Sequence, residues 1–486
     1  MAKRQHKSKP VQKSAKAAAA PPVKSISLPD FFQNIRLQSL LLFAFAIALY
    51  ANTLTHGFVQ DDAIVISDNM FTKQGVEGIP GILSKDTFYG FFKKEGKDAL
   101  VTGGRYRPFT LVLFAGMYEI AGANPFPYHL LTVLLFAATC VLLYRTLLLL
   151  LQGWKGAGGR APLVAWLAAL LFAAHPIHTE VVANIKGCDE IVTLLGSLGA
   201  LWLVVRAFDT GKMLWAYLAA PVFFLACLSK ENAAAFVVVI PLALYLFRGA
   251  SFGQSARLSL PVWAAFLVFF IIRGSILNWN FGGTPMELMN NPFLKIEGNR
   301  WVSFTAGEKL ATNLYTLGKY LILLVFPHPL THDYYPRFIG IKTFADPAVL
   351  LSLAAYGFML WYALRGLKRR DPVSFGIWFF LLTIGIVSNI VFPVGTNMGE
   401  RFVFMPSVGF CLVAGVLLAR LPGWKTAVGI AGAAAFLFSI KTVLRNEVWV
   451  SNESLFFTDV KTSVNSAKIN NACGGVLFEK AQKETD

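Results

Sequence analysis

Residues 57–69 read GFVQDDAIVISDN, and in them Asp61 and Asp62 stand as adjacent carboxylates just past an apolar run. One of two such carboxylates can act as a general base on an attacking hydroxyl while its neighbour orients substrate or a cation. The bland alternative is solvated charge or helix capping where a loop begins. Position favours function, since acids at a membrane edge tend to be functional. Much further on, FPVGTNMGERFVFMPS sets Glu400 and Arg401 at the start of another apolar run. Arg401 offers a planar, permanently charged fork suited to phosphate, with Glu400 beside it placed to hold the guanidinium. Its bland role is snorkelling to lipid headgroups. Arg105, Arg107 and Lys230 are further candidates for the same negative charge, although Lys230 with Glu231, in SKEN, also reads as a plain interfacial ion pair.

HPIHTE supplies His175, His178 and Glu180, and HPLTHD supplies His328, His332 and Asp333. Either set reads as metal ligands, the second with two histidines one helical turn apart. Pro176 and Pro329 break the regular helix that such spacing assumes. Hydrogen bonding to a sugar or phosphate, or ordering of a helix end, is therefore the favoured reading. A divalent metal is compatible with these residues and not required by them, and no cofactor is implied. The five cysteines lie scattered in or beside apolar runs, without metal-type or disulfide-type spacing. There is no Walker lysine loop, no dinucleotide fingerprint and no trustworthy Ser-His-Asp order.

What must position these residues is a membrane. The 486 residues are 55% hydrophobic and 15% charged, against about 25% charged in a soluble chain. Polar residues are too few to cover a globule in water. Apolar runs recur at 39–54, 127–150, 161–174, 190–206, 213–228, 232–247, 258–273, 346–364, 374–392, 402–420 and 424–441, each near the ~20 residues that cross a bilayer. The prediction is an all-α polytopic membrane protein of about 11 transmembrane helices, with 109–122 and 310–326 as interfacial or re-entrant helices in outer loops.

Charge sets the expected orientation. The chain opens with MAKRQHKSKPVQKSAKAAAAPPVK, and residues 1–36 are expected to be a disordered, basic cytoplasmic tail. Alternating onward, the same side receives Lys155 and Arg160, Arg206 and Lys212, Arg248 and Arg257, the run RGLKRR, and Arg420 with Lys425. That excess is what cytoplasmic loops carry. It also excludes nucleic acid as a partner, because the basic residues rim a membrane rather than gather on one folded surface. The Asp pair, YRP, HPIHTE, SKEN, HPLTHDYY and GTNMGER then all fall on the other face, as one extracytoplasmic active site requires.

In that order, YANTLTHGFVQDDAIVISDN, GRYRPFTLVLFAGMYEIAGANPFPYHLLTVLLF, LFAAHPIHTEVVANIKGCDEI, SKEN, FPHPLTHDYYP and SNIVFPVGTNMGERFVFMPSVGF run from about residue 45 to 460. The series resembles the membrane half of the O-mannosyltransferases that carry tetratricopeptide repeats, which belong to the GT-C glycosyltransferase fold. The resemblance implies a GT-C-like bundle over 37–441, with the acidic motif in an outer loop at 55–126. It implies a polyprenyl-phosphate sugar donor, with mannose as the expected sugar, and protein Ser/Thr hydroxyls as acceptors on the lumenal or periplasmic side. Asp61–Asp62 would supply the catalytic carboxylate, and Arg401 would meet the lipid phosphate. That family continues into a repeat array, so 442–486 is expected to be an extracytoplasmic tail in which such repeats would start. Lacking lipidation signals and an ER-retrieval tail, the sequence places a bacterial inner membrane ahead of the endoplasmic reticulum.

The runner-up is a transferase acting on a lipid or surface polysaccharide. A transporter would call for charged residues near the bilayer midplane and paired half-repeats. A scaffold gives no reason for polar motifs to share one face.

Overall fold

The computed structural model describes residues 28–94, 104–154, 158–279, 286–392 and 394–485. Residues 1–27 of the expected tail, and Lys155 of the first basic loop, lie outside them. The folded chain begins before the expected boundary at 36. A 3-10 turn at Asp30–Gln33 buries Phe32, and Phe31 sets its ring edge-on to Trp166 at 5.2 Å. Two aromatics thus draw the end of the basic segment onto the bundle. α1 (Ile35–Tyr50) comes next, with the Asn34 side chain accepting from the Leu37 amide at its N-terminus.

Short turns and two small helices, α2 (Ile79–Ser84) and α3 (Tyr89–Phe92), lead to α4 (Pro108–Ala121), α5 (Pro125–Gln152) and α6 (Ala161–Ala174). Each of α4, α5 and α6 has a proline in its first turn, where the missing N–H would have had no helical partner. Pro176 then breaks the chain, and the segment Pro176–Ala183, containing α7 (Thr179–Ala183), leaves at 52° to α6. α8 (Cys188–Thr210), α9 (Leu214–Ser229), α10 (Phe236–Ala243) and α11 (Phe252–Ile276) complete the first half.

A hairpin of β1 (Leu294–Glu297) and β2 (Arg300–Ser303) comes after α11, paired Glu297↔Arg300 across Gly298 and Asn299. No strand is expected here from the apolar runs. A two-residue turn that places Gly298 at φ 63° is a compact hairpin signal in an otherwise polar linker. The chain ends with α12 (Ala306–Val325), α13 (Pro347–Arg369), α14 (Pro372–Val387), α15 (Ser407–Ala419), α16 (Trp424–Asn446), α17 (Asn452–Asp459) and α18 (Ala467–Thr485). Ser251 and Thr305 open α11 and α12 with reciprocal capping boxes.

Among the described residues, seven helices are long and apolar enough to cross a bilayer, or eight if the bent pair after α5 is one span. Four shorter apolar helices, Pro108–Ala121, Met213–Ser229, Pro372–Val387 and Ser407–Ala419, accompany them. Every apolar run read as a span coincides with one of these elements. α4 has 14 residues, and α12 carries Glu308, Lys309 and Lys319; neither is in the long apolar set. The chain is an all-α polytopic membrane protein apart from its hairpin.

The largest core joins α1, α5, α6, α8–α11 and α14–α16, and a second packs α12 against α13, α14 and the loop at 330–339. Two glycines permit close backbone approaches. A Cβ on Gly409 would lie 2.3 Å from the Gly376 carbonyl oxygen, so α15 and α14 touch backbone to backbone just beyond the Arg401 turn. A Cβ on Gly187 would lie 2.2 Å from the Val181 carbonyl oxygen, so the chain between α7 and α8 doubles back on itself.

Candidate active site

The exit of α1, the doubled-back chain before α8, the start of α4 and the turn Glu400–Val403 enclose a cavity of about 790 Å³. Asp61 and Arg401 meet on its wall, a guanidinium nitrogen 3.7 Å from Oδ2 of the carboxylate. Glu180 sets Arg401 in place. One of its oxygens accepts from the Arg401 backbone N–H at 2.8 Å and the other from the guanidinium at 3.0 Å. Burial disfavours both charges. For Arg401, the Glu180 and Asp61 carboxylates outweigh it and raise the pKa above the ordinary arginine value. For Asp61, burial pushes the pKa up, but Arg401, Lys186 and Lys468 outweigh it and leave the carboxyl below the ordinary aspartate value. Asp61 is therefore ionised at neutral pH.

The opposite wall is a dense charge network. Arg107, at the head of α4, forks onto Glu231 at 3.0 and 2.8 Å and reaches Asp189 at 3.0 Å. Lys230 lies 2.5 Å from Glu190 and 3.6 Å from Asp189, and Lys186 lies 3.2 Å from Asp189. Arg105 donates to the Gly104 and Val394 carbonyls and stands 3.9 Å from Glu231. Burial, then the Arg107 charge, lowers the Arg105 pKa to about 10. With Arg273, Arg401 and Lys468, the lining holds seven cationic side chains against three carboxylates, Asp61, Asp189 and Glu231, and Glu180 and Glu190 directly behind it leave two cations in excess. That surplus favours an anionic ligand. Towards α11 the lining turns apolar, with Phe266, Phe269 and Phe270. Phe270 lines the cavity and still keeps 40% of its surface exposed, next to exposed Leu267 and Ile271. The cavity thus borders a helix whose outer face suits lipid.

The structure brings Asp61, Arg105, Arg107, Lys230, Glu231 and Arg401 together, with Glu180 directly behind Arg401. It separates the other candidates from them. Asp62 is fully buried and turns into the backbone, its two oxygens accepting from the Val59 N–H at 2.9 Å and the Lys186 N–H at 2.7 Å. It is a brace between the α1 exit and the doubled-back chain, and burial pushes its pKa up to about 7. Glu400 does not hold the Arg401 guanidinium. It accepts from the Tyr334 hydroxyl at 2.8 Å and the Thr331 N–H at 2.6 Å, and burial pushes its pKa up to about 8.

Both histidines of HPIHTE are core residues. His175 meets the Leu324 carbonyl at 2.9 Å, and His178 meets the Ser407 hydroxyl at 2.9 Å with Phe172 4.4 Å away. His332 bonds Asp459, while Asp333 accepts from the Ser466 hydroxyl, so this pair docks the C-terminal segment. Among the described residues, no three His, Cys, Asp or Glu side chains are grouped to hold a metal ion.

Sequence reasoning missed Lys186, Asp189, Glu190, Arg273 and Lys468. A signal existed for two of them: Asp189 and Glu190, in GCDEI, are adjacent acids at the edge of an apolar run, as Asp61 and Asp62 are.

No family model matches the chain. The protein O-mannosyl-transferase TMTC1 of Homo sapiens is 27% identical over 86% of this chain. The protein O-mannosyl-transferases TMTC3 of Homo sapiens and F38B6.6 of Caenorhabditis elegans are each 27% identical over 93% and 92% of it. The chain spans 50%, 51% and 60% of their respective lengths, about half of the first two. Two solved structures are similar at lower scores. The apo oligosaccharyltransferase of Archaeoglobus fulgidus has a TM-score of 0.44 at 14% identity, over 86% of this chain and 56% of its own. ArnT of Cupriavidus metallidurans bound to undecaprenyl phosphate has a TM-score of 0.42 at 12% identity, over 90% of this chain and 77% of its own.

Proposed function

We propose that the chain is an integral-membrane glycosyltransferase that moves mannose from a polyprenyl-phosphate donor to Ser or Thr hydroxyls of proteins, on the extracytoplasmic face. The observation that carries this reading is the Asp61–Arg401 contact, set in a cavity with surplus cations and a phenylalanine wall. An anionic headgroup on a long apolar tail satisfies both features. The resemblance to protein O-mannosyl-transferases supplies the sugar and the acceptor.

The isoprenoid chain lies along α11, its phosphate among Arg105, Arg273 and Arg401 and its sugar against Asp61. Asp61 takes the hydroxyl proton as the acceptor oxygen bonds to the anomeric carbon. The bond from that carbon to the phosphate oxygen breaks, and its electron pair leaves with the polyprenyl phosphate. The transition state is oxocarbenium-like, as in glycosidases, so the Asp61 charge also stabilises it. Pre-placed cations take up the charge that develops on the phosphate. Before the donor binds, Asp61 is ionised but weakly basic, because Arg401, Lys186 and Lys468 hold its pKa down. A phosphate arriving beside those cations offsets their charge and strengthens the base when it is needed.

Incubation of the purified chain with polyprenyl-phosphate mannose and a Ser/Thr peptide should add a hexose mass to the peptide. Transfer to a lipid or glycan instead would move the acceptor assignment. No transfer to any of these acceptors would overturn the reading.

A further inference from the structure

We propose that Lys468, from the segment beyond the last long apolar helix, reaches into the cavity and binds the donor's phosphate. The inference rests on the glycosyl-transfer reading and adds to it a cation supplied by the C-terminal region.

Three observations carry it. The base of α18 is pinned: Ser466 donates to the Asp333 carboxylate, the Ser463 hydroxyl donates to the Asp333 carbonyl at 2.8 Å, and the Ala467 N–H donates to the Pro336 carbonyl at 2.9 Å. Ser463 and Ser466 are fully buried, so the backbone that carries Lys468 has a fixed position at the rim. The side chain itself is accessible and lines the cavity. Its ammonium rests on the ring of Tyr335, 4.1 Å from the centroid.

The second observation is the contrast with its neighbours. Lys186, Lys230, Arg107 and Arg401 each have a carboxylate within 3.2 Å. Among the described residues, Lys468 makes no ion pair. A lysine parked on an aromatic face is held more weakly than by a charge-assisted hydrogen bond to phosphate. Its flexible stem lets it exchange one for the other without moving α18.

The third is the field at the base. Lys468 is among the charges that hold the Asp61 carboxyl below its ordinary value. A cation that both meets the leaving phosphate and faces the general base couples the two halves of the reaction.

The test uses farnesyl phosphate as the probe, with farnesol and inorganic phosphate as separate arms, and the full chain in detergent. Loss of one phosphate contact should weaken farnesyl phosphate binding about tenfold in Lys468→Met and raise the donor KM similarly. Lys468→Arg should restore both. The acid limb of the kcat/KM profile should move to higher pH in Lys468→Met, because Asp61 loses a depressing charge. Competition by inorganic phosphate but not farnesol assigns the contact to the phosphate. Unchanged farnesyl phosphate affinity in Lys468→Met, or competition by farnesol alone, overturns the proposal. A wild-type chain that binds the probe through Lys468 yet transfers no mannose would refute the transfer reading and leave this contact standing.

Discussion

Glu180 grips Arg401 twice, at the backbone N–H at 2.8 Å and at the guanidinium at 3.0 Å. The arginine's direction is therefore set by a residue from the far side of the α6–α7 break and not by its sequence neighbour Glu400. Removing the charge in Glu180→Gln gives up a charge-assisted bond worth roughly 1.5–3 kcal/mol, and turnover should fall about tenfold or more. Glu400→Gln should leave turnover unchanged. Equal losses in the two variants would show that Glu180 has no special hold on Arg401.

The same two-way split applies to the acid pair. Asp62 braces two backbone N–H groups, and Asp62→Asn turns an amide NH2 towards one of them. The buried mismatch should cost about 1–3 kcal/mol of stability, read as a lower thermal midpoint in detergent, with kcat of the folded fraction preserved. A folded Asp62→Asn chain with abolished turnover would place Asp62 in the chemistry after all.

Burial pushes the Glu400 carboxyl up to about 8 and that of Asp62 up to about 7. An acid whose folded pKa lies above its unfolded value contributes stability that is complete at low pH and lost as pH rises through the folded value. The fold therefore becomes progressively less stable from about pH 4 to about 7 through Asp62 and to about 8 through Glu400. Glu400→Gln abolishes one of these contributions. Its thermal midpoint should gain on wild type between about pH 5 and pH 8. A difference that stays flat over that range would contradict a protonated Glu400.

Asp459 fastens the C-terminal segment. It accepts from Arg445 at 2.7 Å, from the His332 N–H at 2.7 Å and from the His332 ring at 2.9 Å. Burial opposes its charge, but Arg445 and His332 outweigh that and hold its carboxyl well below the usual range. Breaking a buried pair costs about 3–5 kcal/mol. Asp459→Asn should lower the thermal midpoint and speed proteolysis after α17. Protease resistance equal to wild type would show that the docking does not depend on this charge.

The helices were legible because hydrophobic length is a one-dimensional property, and every apolar run became a helix; of the eleven runs read as spans, seven or eight are long enough among the described residues. The candidate site was legible as a place too, since Asp61, Arg107, Lys230 and Arg401 line one cavity. What failed was reasoning from adjacency. Neighbouring residues on a helix or turn point in different directions, so Asp61 enters the cavity while Asp62 turns into the backbone. By the same geometry Arg401 faces Glu180 while Glu400 faces Tyr334. HPIHTE read as one motif, yet the break at Pro176 sends its histidines into the core and its glutamate to the site. Lys468 is set in place through contacts with Asp333 and Pro336, more than 130 residues earlier in the chain. No local pattern announces it.

In the proposed transfer, the Asp61 carboxylate removes the acceptor proton. The most direct measurement compares Asp61→Asn with wild type for mannose transfer to peptide and, in parallel, for polyprenyl-phosphate binding. A positioned base contributes about 10²–10⁴-fold, so transfer should fall by that factor while binding persists. Wild-type transfer by Asp61→Asn would contradict that role for Asp61.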